Sequence, residues 1–383
     1  MSAPEAGPEA GPEAGPACPS CGQPTGAGDA FCEACGTELA PAVVSTGAPG
    51  FVPSCPVCSV DPSVRQPAGV TPDGYCESCG RKLPTGRDHT ELDLGLLAGV
   101  TDRGRRHPRN EDAMALATAE TSAGPVAIAV VCDGVSSSPR PDEASLAGAQ
   151  AGVRVLLEAM RRAEDPREAS LAAVRSAATE MAGLAGPGGA PSATYVSVVA
   201  GVVAAAALDL ESTGPDAAPD EAITLDSITP DMAGTGEPAA TVTVCWLGDS
   251  RAYWLTADAG SRRLTTDDSL AQEMIASGLM DEADAMASPQ AHVITRWLGA
   301  DITEPRPHVV KFEPSGTGVV LICTDGLWNY LPEAADLAER AFPSATTDPL
   351  GVASELVKFA LDAGGMDNIT VVLVPFPLRS SVK

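Results

Sequence analysis

Five short acidic motifs hold the residues of this chain that are equipped for chemistry. They read RNEDA (Arg109 to Ala113), VCDGVSSS (Val131 to Ser138), WLGDSRAYWL (Trp246 to Leu255), LICTDGLWNY (Leu321 to Tyr330) and GGMDNITVVLV (Gly364 to Val374). In most of them an acidic residue ends or follows a β-branched or aromatic run, beside a Gly or Asn. That pattern places carboxylates at strand ends and turns, where several can converge on one point. Converging carboxylates repel one another strongly unless cations lie between them. All-oxygen ligation favours hard ions such as Mg²⁺ or Mn²⁺, so the motifs define a candidate paired-metal site.

The elements that must position these motifs alternate along the chain. Val126 to Cys132 reads as a buried strand feeding Asp133. Glu143 to Arg162 and Glu168 to Leu184 carry apolar residues at three- and four-residue spacing and predict helices. Ala193 to Leu208 and Ala240 to Leu255 read as strands; Ser269 to Ser277, Glu333 to Phe342 and Leu350 to Ala363 as further helices. Residues 209–239 are acidic and rich in Pro, Gly, Ser and Thr, the composition of a disordered insertion. Strands and helices without strict βαβ repetition predict an α+β fold rather than a doubly wound sheet.

The five motifs in order resemble the metal-dependent Ser/Thr protein phosphatases of the PP2C (PPM) family, bacterial type. The likeness runs from about Gly95 to Pro377, and LTTDDSLAQEMIASG (Leu264 to Gly278) and VITRWLGAD (Val293 to Asp301) fall where the family has similar segments. A lone DG or GD pair would mean nothing, but this many segments in the right order are hard to produce by chance. The resemblance implies a sandwich of two antiparallel sheets with helices outside, over a domain at 94–377. It also implies two Mn²⁺ or Mg²⁺ ions, or three, that grip the phosphoryl oxygens and activate water. By the same likeness Asp133 bridges the ions, Glu111 and the Gly134 carbonyl complete one, and Asp325 and Asp367 hold the other. Asp249 matches a ligand of a weaker third ion, and Asp112 is expected to act behind the ligands or through water.

The chain departs from the family pattern at several points. DGVSSS stands where many members read DG-x-GG, so the serine run Ser136 to Ser138 covers the place of the glycine pair. Val135 takes the place of a His proposed as general acid in eukaryotic members. His107 stands where the family has a phosphate-binding Arg, four residues before the Glu; Arg106 and Arg109 flank it and suit phosphate better than imidazole. Asn329 occupies a position that is often a third-ion Asp. Cys132, Cys245 and Cys323 lie inside apolar strands and read as buried, inert thiols.

Ahead of this region, residues 1–17 are a disordered tail with three PEAG units. Eight of the eleven cysteines follow as four C-x-x-C knuckles: Cys18/Cys21 with Cys32/Cys35, then Cys55/Cys58 with Cys76/Cys79. Paired knuckles across a short loop are the spacing of a four-thiolate structural zinc site, predicting two Zn²⁺ ribbons at 18–39 and 55–83. Disulfides are the competing reading, disfavoured in a reducing compartment. Pro- and Gly-rich stretches at 40–54 and 84–93 read as loose linkers.

At 383 residues there is room for more than one domain, at the usual ~100–200 residues each. With 24 basic against 51 acidic residues, a formal charge of −27, the surface repels nucleic acid and anionic lipid. MSAPEAGPEAG has neither a basic start nor an apolar core, and Ala193 to Leu208 is too short for a membrane helix, so no secretory leader or membrane span is expected. The expectation is a cytoplasmic monomer that hydrolyses phosphoserine and phosphothreonine in proteins, opposing a Ser/Thr kinase system. Two alternatives come from other classes. A pseudophosphatase scaffold recruiting partners through its ribbons would show lost ligands, and Glu111, Asp133, Asp325 and Asp367 are all present. A nucleic-acid-binding ribbon protein would need a basic ribbon surface, and residues 18–87 hold only Arg65, Arg81, Lys82 and Arg87 as cations.

Overall fold

A strand that is apolar on both faces needs cover on both faces, and that requirement organises this molecule. The computed structural model describes residues 23, 34–35, 44–45, 71, 75–80, 86–202, 240–288, 290–302, 304–342 and 344–378. The PEAG tail, Cys18, Cys21, Cys32, Cys55 and Cys58, and the 209–239 insertion lie outside the described residues.

In chain order the elements begin with β1 (Val44–Ser45), β2 (His89–Asp93), β3 (Ala98–Asp102), β4 (Asp112–Thr121) and β5 (Gly124–Asp133). Helices α1 (Pro141–Arg161) and α2 (Pro166–Gly183) follow, then β6 (Ser192–Ala193), β7 (Tyr195–Val202), β8 (Ala240–Leu247), β9 (Arg251–Leu255) and β10 (Arg262–Arg263). Next come α3 (Leu270–Ala276), α4 (Glu282–Met286), β11 (Leu298–Gly299), β12 (His308–Phe312) and β13 (Gly318–Cys323). The described chain closes with α5 (Asp325–Trp328), α6 (Ala334–Ala341), α7 (Pro349–Asp362) and β14 (Ile369–Phe376). One antiparallel sheet runs β1-β4-β5-β7-β8-β12 and the other β10-β9-β13-β14-β3-β2.

Strand β5 shows how the layers arise. Its alternate residues Val126, Ile128, Val130 and Cys132 pack against α1 and α2, while Ala127, Ala129 and Val131 face the other sheet. Strand β13 does the same on the opposite side, with Leu321 and Cys323 toward α6 and α7 and Val320 and Ile322 toward the sandwich interior. Met114, Trp246, Trp254 and Phe376 fill the space between the sheets, each large side chain contributing ~1.5–3 kcal/mol by leaving water. The α+β sandwich with external helices is therefore present. Helix α2 starts at Pro166, two residues ahead of the expected Glu168, because Asp165 accepts from the Arg167 and Glu168 amides at 2.8 and 3.1 Å, with Pro166 in the first turn. Among the described residues no helix is long and apolar enough to cross a membrane.

Two expectations are corrected. Ala240 to Leu255 is two strands in different sheets, because the chain leaves the first sheet at Leu247 and enters the second at Arg251. The turn between them needs Gly248, whose φ of 98° suits no side chain and whose absent Cβ leaves room for Thr194. The apolar pattern runs through this crossing because both halves are buried. The second correction concerns the start of the catalytic domain, expected at residue 94 after a loose linker at 84–93. His89–Asp93 pairs along its length with Ala98–Asp102, and the Arg103 amide donates to the Asp88 carbonyl at 2.7 Å. The domain thus extends to the described residues from 86 onward. Val44–Ser45, within the other presumed linker, pairs with Leu116 and Ala115 at the edge of β4.

A chain beginning at Leu94 lacks an edge strand that one beginning at Gly86 retains. The shorter chain should melt at a lower temperature in a thermal scan; identical melting temperatures would show that β2 contributes nothing to the fold.

Candidate active site

All five acidic motifs come to the same end of the sandwich because each lies where a strand ends or begins. Asp133 ends β5 and stands directly across from Asp112, the first residue of β4. Asp325 follows β13 at the start of α5, Asp367 lies just ahead of β14, and Asp249 occupies the crossing between β8 and β9. Glu111, Asp112 and Asp249 are buried, whereas Asp133, Asp325 and Asp367 retain an edge to solvent, so the group lines a cleft.

The fold needs glycine after two of these aspartates. A Cβ on Gly326 would lie 1.9 Å from the Asn368 carbonyl oxygen, and one on Gly134 would lie 2.5 Å from that of Pro141 and 2.8 Å from that of Glu111. The Asp-Gly pairs therefore let the segments at the ends of neighbouring strands in each sheet approach closely while the Asp stays at the strand end.

Electrostatics show that the carboxylates share one site. Burial holds Asp133 well above the usual carboxylate range, with Asp112, Asp325, Asp367 and Asp249 adding repulsion. Asp325 is raised in the same way, by burial and then by Asp367, Asp249 and Asp112. Burial lifts Asp112 to about 7 against the pull of two threonine hydroxyls, and burial with Asp267 lifts Asp249 to about 7. Oδ1 of Asp325 and Oδ1 of Asp112 are buried without a hydrogen-bond partner. Carboxylate oxygens left this way, among other carboxylates, have the chemistry that suits a hard divalent cation. Among the described residues no three His, Cys, Asp or Glu side chains stand closed around one point as a finished metal cage.

Several residues hold the carboxylates that the motifs alone do not single out. Asp112 Oδ2 accepts from Thr324 Oγ1 at 2.8 Å and Thr370 Oγ1 at 2.7 Å, which commits that oxygen to the scaffold. Ser136 Oγ donates to Glu111 Oε2 at 2.5 Å, so the serine that replaces a family glycine holds a proposed ligand. Asn368 Oδ1 accepts from the Glu111 amide at 2.7 Å while its Nδ2 donates to the Arg103 and Arg109 carbonyls at 2.7 and 3.1 Å. Trp328 Nε1 donates to the Asp249 carbonyl at 2.9 Å, with the Arg251 guanidinium 3.7 Å above its ring. Arg251 is in turn clamped by both oxygens of Asp267. Apart from the Asn beside Asp367 and the Ser after Asp-Gly, nothing in the local pattern distinguishes these residues; their roles depend on contacts across the sandwich.

The three expected phosphate contacts have different surroundings. His107 Nε2 lies 3.1 Å from Asp367 Oδ1 and its Nδ1 4.0 Å from Glu111 Oε2, inside the cluster. Arg109 Nη1 donates to Asp142 Oδ1 at 2.9 Å and its Nε lies 3.5 Å from Glu111 Oε1. Arg106 is on the exposed rim, with Nη1 3.5 Å from Met366 Sδ. Asn329 donates to Asp325 Oδ2 at 3.3 Å. Cys132, Cys245 and Cys323 are buried; burial pushes all three thiols up, Cys245 to about 12, so they remain protonated.

The raised carboxylates predict a pH dependence. Asp112 and Asp249 bind protons more tightly folded than unfolded, so their contribution to stability is full below about pH 4 and is lost as pH rises through about 7. Without divalent cations the melting temperature should therefore fall between about pH 5 and about pH 8, and Mn²⁺ should raise it most at the upper end. A Mn²⁺ increment of the same size throughout that range would count against ion binding at these carboxylates.

Residues 101–359 match the family described as Protein phosphatase 2C. Among curated relatives, Serine/threonine phosphatase stp of Listeria innocua is 38% identical over 134 residues, which is 35% of this chain and 51% of that protein. Protein phosphatase PhpP of Streptococcus pneumoniae is 36% identical over 131 residues, 33% of this chain and 50% of that protein. The chain spans about half the length of the curated relatives it matches. The crystal structure of the PPM Ser-Thr phosphatase MsPP from Mycobacterium smegmatis, in complex with cacodylate, is 25% identical with a TM-score of 0.50, covering 74% of this chain and 99% of that one. A Streptococcus agalactiae serine/threonine phosphatase shares the fold at 21% identity and a TM-score of 0.51, over 72% of this chain and 97% of that one. The matched span reaches from β3 into α7 and takes in most of the sandwich and four of the five acidic motifs, with the fifth following in β14's approach; the chain belongs to the protein phosphatase 2C family.

Proposed function

We propose that the chain is a Mn²⁺- or Mg²⁺-dependent phosphatase acting on phosphoserine and phosphothreonine in proteins, within a Ser/Thr kinase system in the cytoplasm. The observation that carries this reading is the convergence of buried, mutually repelling carboxylates with an unpartnered oxygen on Asp325. Asp133, Glu111 and the Gly134 carbonyl would hold one ion, Asp133, Asp325 and Asp367 the other, and Asp249 contributes to a third. Bound there, such ions supply Lewis acidity toward the phosphoryl oxygens and an activated water at neutral pH. The protein's own groups do the rest. Ser136 keeps Glu111 in place, and the Thr324 and Thr370 hydroxyls keep Asp112 behind Asp133. His107, Arg109 and Arg106 line one side of the cleft and orient the phosphate dianion, each guanidinium contact contributing roughly 1.5–3 kcal/mol. Val135 offers no proton to the leaving alkoxide.

Purified protein should hydrolyse p-nitrophenyl phosphate and phosphothreonine peptides with Mn²⁺ and stop on addition of a chelator. Asp133→Ala and Asp367→Ala should be inactive yet folded, while Cys132→Ser should retain activity because its thiol is buried and protonated. Undiminished hydrolysis by Asp133→Ala would falsify the two-ion reading.

The N-terminal cysteines support two structural zinc ribbons, with Cys18, Cys21, Cys32 and Cys35 around one ion and Cys55, Cys58, Cys76 and Cys79 around the other. Their spacing carries this, together with the turn in which the Gly80 amide donates to the Cys76 carbonyl at 2.8 Å. Four thiolates leave zinc no open position, so the ribbons direct the enzyme rather than join its chemistry. Elemental analysis should find two zinc ions per chain and one fewer in Cys18→Ser; unchanged content, or intact disulfides by mass, would refute the ribbons.

A further inference from the structure

The residues that lead into the catalytic domain contact the phosphate-and-ligand loop directly. Arg87 is the hinge of this contact, and its side chain is only 15% exposed. Its Nη1 donates to the Asp142 carbonyl at 2.9 Å and its Nη2 to the Asp112 carbonyl at 3.4 Å. The Arg87 carbonyl accepts from Asn110 Nδ2 at 3.1 Å, and Asn110 Nδ2 also reaches Thr101 Oγ1 at 2.9 Å. One residue is thus tied to β3, to the start of β4 and to the start of α1.

The tie continues into the cleft. The Asp142 carboxylate lies 3.8 Å from Arg87 through Oδ2 and accepts from Arg109 Nη1 at 2.9 Å through Oδ1. Arg109 faces Glu111 Oε1 at 3.5 Å. A polar path therefore runs Arg87, Asp142, Arg109, Glu111, while a shorter one runs from Arg87 to the backbone of Asp112, across the sheet from Asp133. Burial disfavours the Arg87 charge, and Asp142, Asp112 and Glu143 favour it. A planar guanidinium bridges two carbonyls on separate elements; an ammonium on a flexible stem lacks the fork.

We propose that Arg87 is a positioning residue for the active site, holding the loop at 107–112 so that Arg109 and Glu111 keep their places. The N-terminal segment is then part of the catalytic unit at its point of entry and not a passive tether. This rests on the phosphatase reading, in which Glu111 is an ion ligand and Arg109 a phosphate contact.

The test uses the full-length chain with Arg87→Met and Arg87→Lys. Three quantities are read against wild type: Mn²⁺ affinity by calorimetry, KM for p-nitrophenyl phosphate, and amide hydrogen exchange over residues 107–113. Both variants should bind Mn²⁺ about 10- to 100-fold more weakly, the usual loss when a group behind a metal ligand is removed. Both should raise KM and exchange faster over 107–113, with exchange in β13 unchanged. A lower melting temperature with Mn²⁺ affinity, KM and local exchange all as in wild type would reduce Arg87 to a structural staple and overturn the proposal. If Arg87→Met fails to fold, Arg87→Lys, which keeps the charge, carries the same comparison. Wild-type protein inert toward p-nitrophenyl phosphate would defeat the phosphatase reading alone, because the exchange measurement decides the positioning role without turnover.

Discussion

Mutual repulsion among carboxylates at one end of the sandwich is the constraint to which the rest of this structure answers. Burial raises the affinity of Asp112, Asp133, Asp249 and Asp325 for protons, and the charges of neighbouring carboxylates, Asp367 among them, add to the effect. At an effective dielectric of about 20, two unit charges 4 Å apart repel by about 4 kcal/mol, comparable to a large part of a domain's net stability. Such a group persists in a folded protein only if the scaffold is stiff and cations complete it. The stiffness comes from covering both sheets on both faces, so that no strand end is free to move its carboxylate away.

Fixation of the individual ligands relies on groups with little chemistry of their own. The hydroxyls of Thr324, just after β13, and Thr370, in β14, hold Asp112 of the first sheet, and Asn368 binds the Glu111 amide and the Arg109 carbonyl ahead of it. Trp328 joins α5, which begins at Asp325, to the carbonyl of Asp249 in the sheet crossing. Arg251 and Asp267 fix that indole from the other side, and a buried pair of this kind is strongly destabilising to break from one partner only. Each contact joins elements far apart in the chain, so the site and the sandwich are the same object viewed at different scales.

The entry to the catalytic domain obeys the same logic. A segment rich in Pro, Gly and charge reads as a linker when only its composition is considered, yet His89–Asp93 completes a sheet and Arg87 reaches into the loop before β4. Composition reports how little apolar surface a segment can bury. It does not report the hydrogen bonds an exposed sheet edge makes available to a short polar strand.

The sequence by itself determined most helices to within a few residues and the identity of the acidic residues at strand ends, and the order of its motifs carried the resemblance that implied the family and its two-sheet sandwich. The helices and strand-end acids were legible because they are local: periodicity, a turn residue after a strand, and an Asp beside a Gly that allows close backbone approach. Only the tertiary structure decided that Ala240 to Leu255 crosses between sheets, since both halves are buried and the apolar pattern does not change at Gly248. It also separated the basic residues before Glu111, placing His107 among the carboxylates, Arg109 on Asp142 and Arg106 on the rim. The same holds for Ser136, Thr324, Thr370 and Trp328, whose roles are hydrogen bonds to residues between 25 and 258 positions away. A residue's type and neighbours state what it is able to do, and packing across the sandwich decides which partner it meets.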